Sequence, residues 1–334
     1  MKVKVDLCAI VQNCKIVESA LQGANICAVV KNNAYGHGIE HVCRALVPHV
    51  GMFAVANVAE ANKIASFGKP VLLLLPQFGN HLQIAVDKGY VLTVDSLETF
   101  HKIANCVGKK KVHLKINTGM NRLGLNKEQV EKICKLASQH NVEVQGVFSH
   151  LAKTDLESCN RQLANFLPIA RKCKQAFGKH ILCHIANSSA TFLHPKFHLD
   201  MVRVGLALYG YGNKNLVPAK TVTAKVIATR VVEKGQPVGY DGAFVARQTT
   251  KIAILDVGYA DGLARILSGS FVKFGNSFCK IVGNICMGMC FVDVSNAKIS
   301  VGDEAILLGK GCNLANNDVS AYELLCNFSN CCKI

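Results

Sequence analysis

The chain has 334 residues, half of them hydrophobic, with 38 basic against 22 acidic side chains and a formal net charge of +16. That much apolar material supports two domains, or one large barrel with an appendage, and excludes intrinsic disorder. The longest wholly apolar runs, such as residues 71–75, are far shorter than the roughly 20 residues of a membrane span, so no membrane partner is expected.

The opening Met1-Lys-Val-Lys-Val-Asp6 alternates like a strand and lacks the apolar centre of a secretion signal, which points to a cytoplasmic protein. A helix is predicted over residues 11–21. Short β-rich runs then alternate with helical stretches. Strands are predicted over 27–31, 52–56, 70–75, 90–94, 112–117, 143–149, 181–186 and 201–204, and helices over 58–66, 96–105, 127–138 and 156–174. Asp95-Ser96 is a plausible helix cap. Eight βα units in about 200 residues predict a (β/α)8 TIM-type barrel, with functional groups just past the strand C-terminal ends. After Gly212 the texture changes to strands with glycine-rich turns, over 221–232, 250–256, 270–274, 278–282, 289–294 and 304–308, and one helix over 317–327. The expected fold is therefore an α/β barrel, residues 1–216, followed by a C-terminal mainly β domain, residues 217–334, into which residues 1–6 pair.

The positive charge is dispersed. Its densest run, Lys109-Lys110-Lys111, has no interleaved aromatics, so a nucleic-acid partner is not expected. The 16 cysteines are scattered through apolar segments, no CxxC pair occurs, and Cys286-Met-Gly-Met-Cys290 has no matching ligand pair nearby. They read as small core residues, without a metal site.

Chemistry concentrates at the predicted strand ends. The first strand delivers Lys31 into a glycine-flanked turn. By placement alone Lys31 reads as a snorkelling stem, yet a desolvated lysine amine is also suited to Schiff-base formation. The fifth strand leads into Asn117-Thr-Gly-Met-Asn121-Arg122. The sixth ends at Ser149-His150, the seventh is followed by Asn187-Ser188, and the eighth contains Arg203 ahead of Gly205. Loops after the seventh and eighth strands are common phosphate sites in barrels, which makes Ser188, Gly205 and Leu206 anion candidates.

The string Lys31-Asn-Asn-Ala-Tyr35-Gly36-His37-Gly38 resembles the cofactor-bearing segment of the alanine racemase family, fold type III pyridoxal phosphate (PLP) enzymes. Ala186-Asn187-Ser188, Arg203-Val-Gly205-Leu206, Gly258-Tyr259-Ala-Asp-Gly262 and Ile285-Cys286-Met287 resemble further segments of the same family. The resemblance spans essentially the whole chain. It implies Lys31 as Schiff-base lysine and base on the D-alanine side, with Tyr259 as base on the L-alanine side. It assigns the PLP phosphate to Tyr35, Ser188, Gly205, Leu206 and Tyr322, and the ring nitrogen to Arg203. His150 and Arg122 assist the catalytic tyrosine, Met287 binds the substrate carboxylate with Arg122, and Lys115 is a possible carbamylated lysine. It further implies a homodimer with shared active sites, Tyr259 serving the partner subunit's site, and D-alanine production for peptidoglycan. A racemase of serine or broader specificity, or a fold type III amino-acid decarboxylase, is the alternative. An arginine at the ring nitrogen cannot accept a proton and opposes ring protonation, which suits racemisation over decarboxylation. Gly288 stands where the family usually has aspartate, and the ending after Cys326 lacks an expected arginine.

Overall fold

The computed structural model describes residues 1–314 and 319–328, together with the backbone of Cys332–Lys333. The predicted start of the last helix, residues 317–318, and most of the atypical ending lie outside the described residues. Two compact units emerge: a barrel unit, Ile10–Ala34 with Ile39–Leu216, and a β unit, Met1–Ala9, Tyr35–Gly38 and Val217–Ile334.

The barrel unit contains eight parallel strands, Asn25–Val29, Met52–Val55, Val71–Leu73, Val91–Val94, Lys110–Lys115, Val142–Phe148, Leu182–His184 and Met201–Val204. All eight predicted strands are present, shifted by no more than about two residues at most ends, as expected for boundaries set by hydrogen bonding. Their side chains are buried on both faces, as in Met52–Val55 and Val91–Val94, because helices cover the outside and strand neighbours fill the inside. The ladder runs in order from the seventh strand to the first and on to the eighth. Single backbone bonds then link the eighth strand region to the seventh, Asp200 N–H to the Cys183 carbonyl at 3.0 Å and Arg203 N–H to the Ala186 carbonyl at 3.0 Å. Helix starts are set by side-chain caps. Asn57 accepts from Glu60 N–H, Ser96 from Thr99 N–H and Asp155 from Ser158 N–H, and Asn126 forms a reciprocal capping box with Gln129.

Two predicted bounds are corrected. The first helix covers Leu7–Ser19, about four residues earlier than its apolar spacing implied, because Asp6 accepts the Ala9 N–H and starts it. Lys31 does not end a strand: that strand stops at Val29, and Lys31 opens the helical segment Lys31–Gly36.

In the β unit, Lys220–Val232, Thr250–Leu255, Cys290–Asp293, Ser277–Val282, Phe271–Phe274 and Glu304–Gly309 pair in that order. The last pairs back onto the first. Ring closure removes the exposed edges that a flat sheet would present. Lys2–Val5 joins as an antiparallel neighbour of Lys220–Thr223. A short hairpin, Pro237–Val238 with Phe244–Val245, was not anticipated, its strands being too brief to alternate visibly. No helix among the described residues is long and apolar enough to cross a membrane.

Candidate active site

The segment after the first barrel strand is conformationally unusual. Asn32, Asn33, Ala34 and Tyr35 all have φ between +52° and +54°, and Gly36 follows at +72°. This is one left-handed helical turn. Asparagine and glycine tolerate that region, but each Ala or Tyr in it costs about 1–2 kcal/mol. Bonds to neighbours hold it: Asn33 N–H donates to Glu60 Oε1 at 3.2 Å, Ile39 N–H to Asn33 Oδ1 at 2.9 Å, and Ala34 N–H to the Val30 carbonyl at 2.8 Å. The strain sets the direction of the backbone that presents Lys31.

At the barrel mouth the structure gathers a basic set. Arg203 is buried and its terminal nitrogens donate into acceptors just past the sixth strand and at the end of the seventh. Nη1 donates to His184 Nδ1 at 2.8 Å and to the His184 carbonyl at 3.2 Å, and Nη2 to the Ser149 carbonyl at 2.6 Å and His150 Nδ1 at 3.4 Å. Its Nε–H has no acceptor among the described residues. Burial lowers Arg203 to about 10, which leaves it cationic near neutrality. Burial, then Arg203, Arg122, Lys115 and Lys31, depress His150 to about 3, so it is neutral in this setting. Arg203, Arg122, Lys115 and Lys31 thus all lie within electrostatic reach of His150. Lys115 falls to about 8 through burial and the charge of Arg122, against the pull of Asp95.

Behind Arg203 runs a buried chain. Guanidinium nitrogens only donate, so His184 Nδ1 must accept and carry its proton on Nε2. That proton points to His113 Nδ1, 3.0 Å away. Both rings are fully buried and both are pushed toward the neutral form by burial and by Arg203. Phe148 stacks on His184 with ring centroids 5.0 Å apart and lies under the Arg203 guanidinium, also at 5.0 Å. Gly146 leaves the room required: a Cβ there would stand 2.7 Å from His113 Nε2.

Past the seventh and eighth strands, Ser188 opens the helix Ser188–Leu193, capped by Asn187 Oδ1 on Ala190 N–H at 3.0 Å. Ser188 Oγ accepts both Gly205 N–H and Ala207 N–H at 3.1 Å. Leu206 N–H, between them, has no acceptor among the described residues. Ser188 thus holds the backbone on both sides of Leu206 and leaves the Leu206 N–H as the donor between them.

In the β unit, Tyr259 opens a 3-10 turn that is tied to the Met287 loop by backbone. Tyr259 N–H donates to the Cys286 carbonyl and Ala260 N–H to the Met287 carbonyl, both at 3.0 Å. Gly258 has no space for a side chain, since a Cβ would lie 2.3 Å from the Cys286 and Met287 oxygens. Met287 N–H has no acceptor among the described residues. Tyr35 and Tyr322 meet ring to ring with centroids 5.9 Å apart. Gly288 stands in open space.

Known proteins place this architecture. The alanine racemase N-terminal domain model matches residues 5–213, and the alanine racemase C-terminal domain model matches residues 219–333. The chain belongs to the alanine racemase family. Among its relatives, alanine racemase 2 of Caldanaerobacter subterraneus subsp. tengcongensis is 34% identical, covering 98% of this chain and 92% of the relative. The alanine racemase of Mannheimia succiniciproducens is 36% identical, covering 92% and 90%. Alanine racemase from Streptomyces coelicolor superposes with a TM-score of 0.92 at 26% identity, covering 99% of this chain and 96% of that one. Alanine racemase from Bartonella henselae, with covalently bound pyridoxal phosphate, does so at 0.89 and 29% identity, covering 99% and 98%.

Around Arg203, the sequence alone does not single out His113, His184 and Phe148 in this alanine racemase family chain. The signal that would have found the histidines is a polar residue at an inward position of an otherwise apolar parallel strand, as in Lys-Val-His113-Leu and Leu-Cys-His184-Ile.

Proposed function

We propose that the protein interconverts L-alanine and D-alanine with PLP, Lys31 anchoring the cofactor and serving as the base on one face and Tyr259 as the base on the other. The observation that carries this reading is Arg203. A buried cation that among the described residues has no acceptor for its Nε–H and no carboxylate bonded to it, and that is backed by neutral histidines, fits an uncharged aromatic nitrogen. The Leu206 N–H, beside Ser188 and Gly205, fits a phosphate, to which the family resemblance adds Tyr35 and Tyr322, and Lys31 supplies the amine. When bound, the cofactor withdraws electrons from the substrate α-carbon and so acidifies its proton.

The residues then divide the work. Lys31 and Tyr259 take and return the α-proton from opposite faces. Met287 N–H and Arg122 bind the substrate carboxylate. Neutral His150 bridges Arg203 toward Tyr259. Lys115, with an amine at about 8, has a neutral fraction of about a tenth at pH 7, which carbamylation needs. A second copy of the chain supplies the opposing Tyr259: on a single chain Tyr259 is 44% exposed and Met287 63% exposed. A cytoplasmic enzyme with a small amino-acid substrate completes the reading.

The purified protein should be yellow, and Lys31→Ala should abolish both colour and racemisation. A wild type that stays colourless with added PLP removes the proposal.

A further inference from the structure

We propose that Lys220 is a positioning residue that fixes the two phosphate-binding tyrosines, Tyr35 and Tyr322, by clamping the backbone of both their segments with one buried ammonium. This rests on the PLP reading above and adds a residue to it.

Lys220 begins the long strand Lys220–Val232 and is wholly buried. Its Nζ donates to three backbone carbonyls, Leu325 at 2.7 Å, Tyr35 at 3.2 Å and Phe328 at 3.5 Å. Leu325 and Phe328 lie at the C-terminal end of the helix Ala321–Asn327, where carbonyls lack intrahelical partners and the dipole is negative, so a cation is favoured there. Tyr322 occupies the first turn of that same seven-residue helix, which Ser320 caps through the Glu323 N–H. A helix this short is marginal alone, and its orientation depends on what holds its ends.

The other end of the clamp is Tyr35, whose backbone sits in the unfavourable left-handed region at φ +53°. Its carbonyl also accepts His37 Nδ1–H at 3.1 Å, so two buried donors pin one strained peptide. Between these anchors the two tyrosine rings meet, 40° apart in plane. Burial and the neighbouring Tyr322 raise the Tyr35 hydroxyl well above its ordinary value, which keeps it a donor, as an anion ligand requires. Gly262, at φ +103°, approaches the same helix end so closely that a Cβ would lie 2.5 Å from the Asn327 carbonyl. The turn that carries Tyr259 is therefore packed against the clamp.

A lysine that only stabilised the fold would affect every ligand alike. One that positions phosphate ligands affects PLP and spares pyridoxal, which lacks the phosphate. The test titrates apo-protein with each compound, reading binding by absorbance and folding by thermal melt. Wild type should prefer PLP. Lys220→Met should weaken PLP binding by about tenfold or more, the loss of roughly one charge-assisted hydrogen-bonded contact, with pyridoxal changed less than about twofold. In a Tyr35→Phe/Tyr322→Phe background, Lys220→Met should no longer discriminate. Equal losses for both compounds, or none for PLP, overturn the proposal. A wild type without preference for PLP overturns the cofactor reading instead. If Lys220→Met does not fold, Lys220→Gln, which keeps two N–H donors and gives up the charge, is read the same way. A chain that folds with neither replacement assigns Lys220 to stability and also overturns the proposal.

Discussion

In the barrel unit Arg203 is held by buried side chains together with strand-end carbonyls; in the β unit the turn carrying Tyr259 is held chiefly by backbone hydrogen bonds. Arg203 owes its orientation to His184, the Ser149 carbonyl and the Phe148 face. Tyr259 owes its own to carbonyls of Cys286 and Met287 that approach Gly258 too closely for any side chain. The first arrangement tunes charge, because buried rings answer to nearby cations. The second fixes geometry and leaves the Tyr259 ring accessible. One unit prepares a charge environment and the other presents the tyrosine proposed above as a base.

The contrast can be broken at several points. Tyr259→Phe removes only the base, so racemisation should fall by about 10²–10⁴ while colour and melting temperature are retained, measured by chiral chromatography and absorbance. Loss of colour would mean that Tyr259 also holds the cofactor. Gly258→Ala forces a Cβ against two carbonyls and should destabilise the β unit by about 3 kcal/mol in denaturant unfolding, with little change in PLP affinity. A variant as stable as wild type would show that the turn is not backbone-locked.

The smallest effect is the pH dependence of the barrel. His113 is held near 3 when folded but titrates near its ordinary 6.5 when unfolded. The unfolded chain therefore binds more protons between those values, and stability is full above 6.5 and falls as pH drops toward 3. At pH 5 this amounts to about 2 kcal/mol for His113 alone. His113→Gln should flatten the slope of unfolding free energy against pH between 7 and 5; an unchanged slope would place the titrating group elsewhere.

The sequence made the barrel strands legible because buried parallel strands are continuous apolar runs, and the Tyr259 turn legible because close backbone approach demands glycine. The Lys31 turn was only half legible. Asn32, Asn33 and Gly36 are residues that accept a left-handed backbone, but Ala34 and Tyr35 are not, and no local preference announces a strained turn imposed by its neighbours. His184 and His113 were hidden because an isolated histidine on an apolar strand reads as a packed core residue until its partner is known. Lys220 was hidden for the opposite reason: a lysine just ahead of a predicted strand reads as an exposed flank, and only the tertiary fold brings three carbonyls to it.

A racemase must move the α-proton of alanine between two faces. That transfer is tested most directly by incubating the purified protein and PLP in deuterated water with pure L-alanine, and separately with pure D-alanine, and following both chirality and deuterium at the α-carbon. Both reactions should converge on an equal mixture of enantiomers carrying deuterium at the α-carbon, and Lys31→Ala should show neither change. Alanine that keeps its configuration and its α-hydrogen with the PLP-loaded wild type would contradict the proposed racemisation.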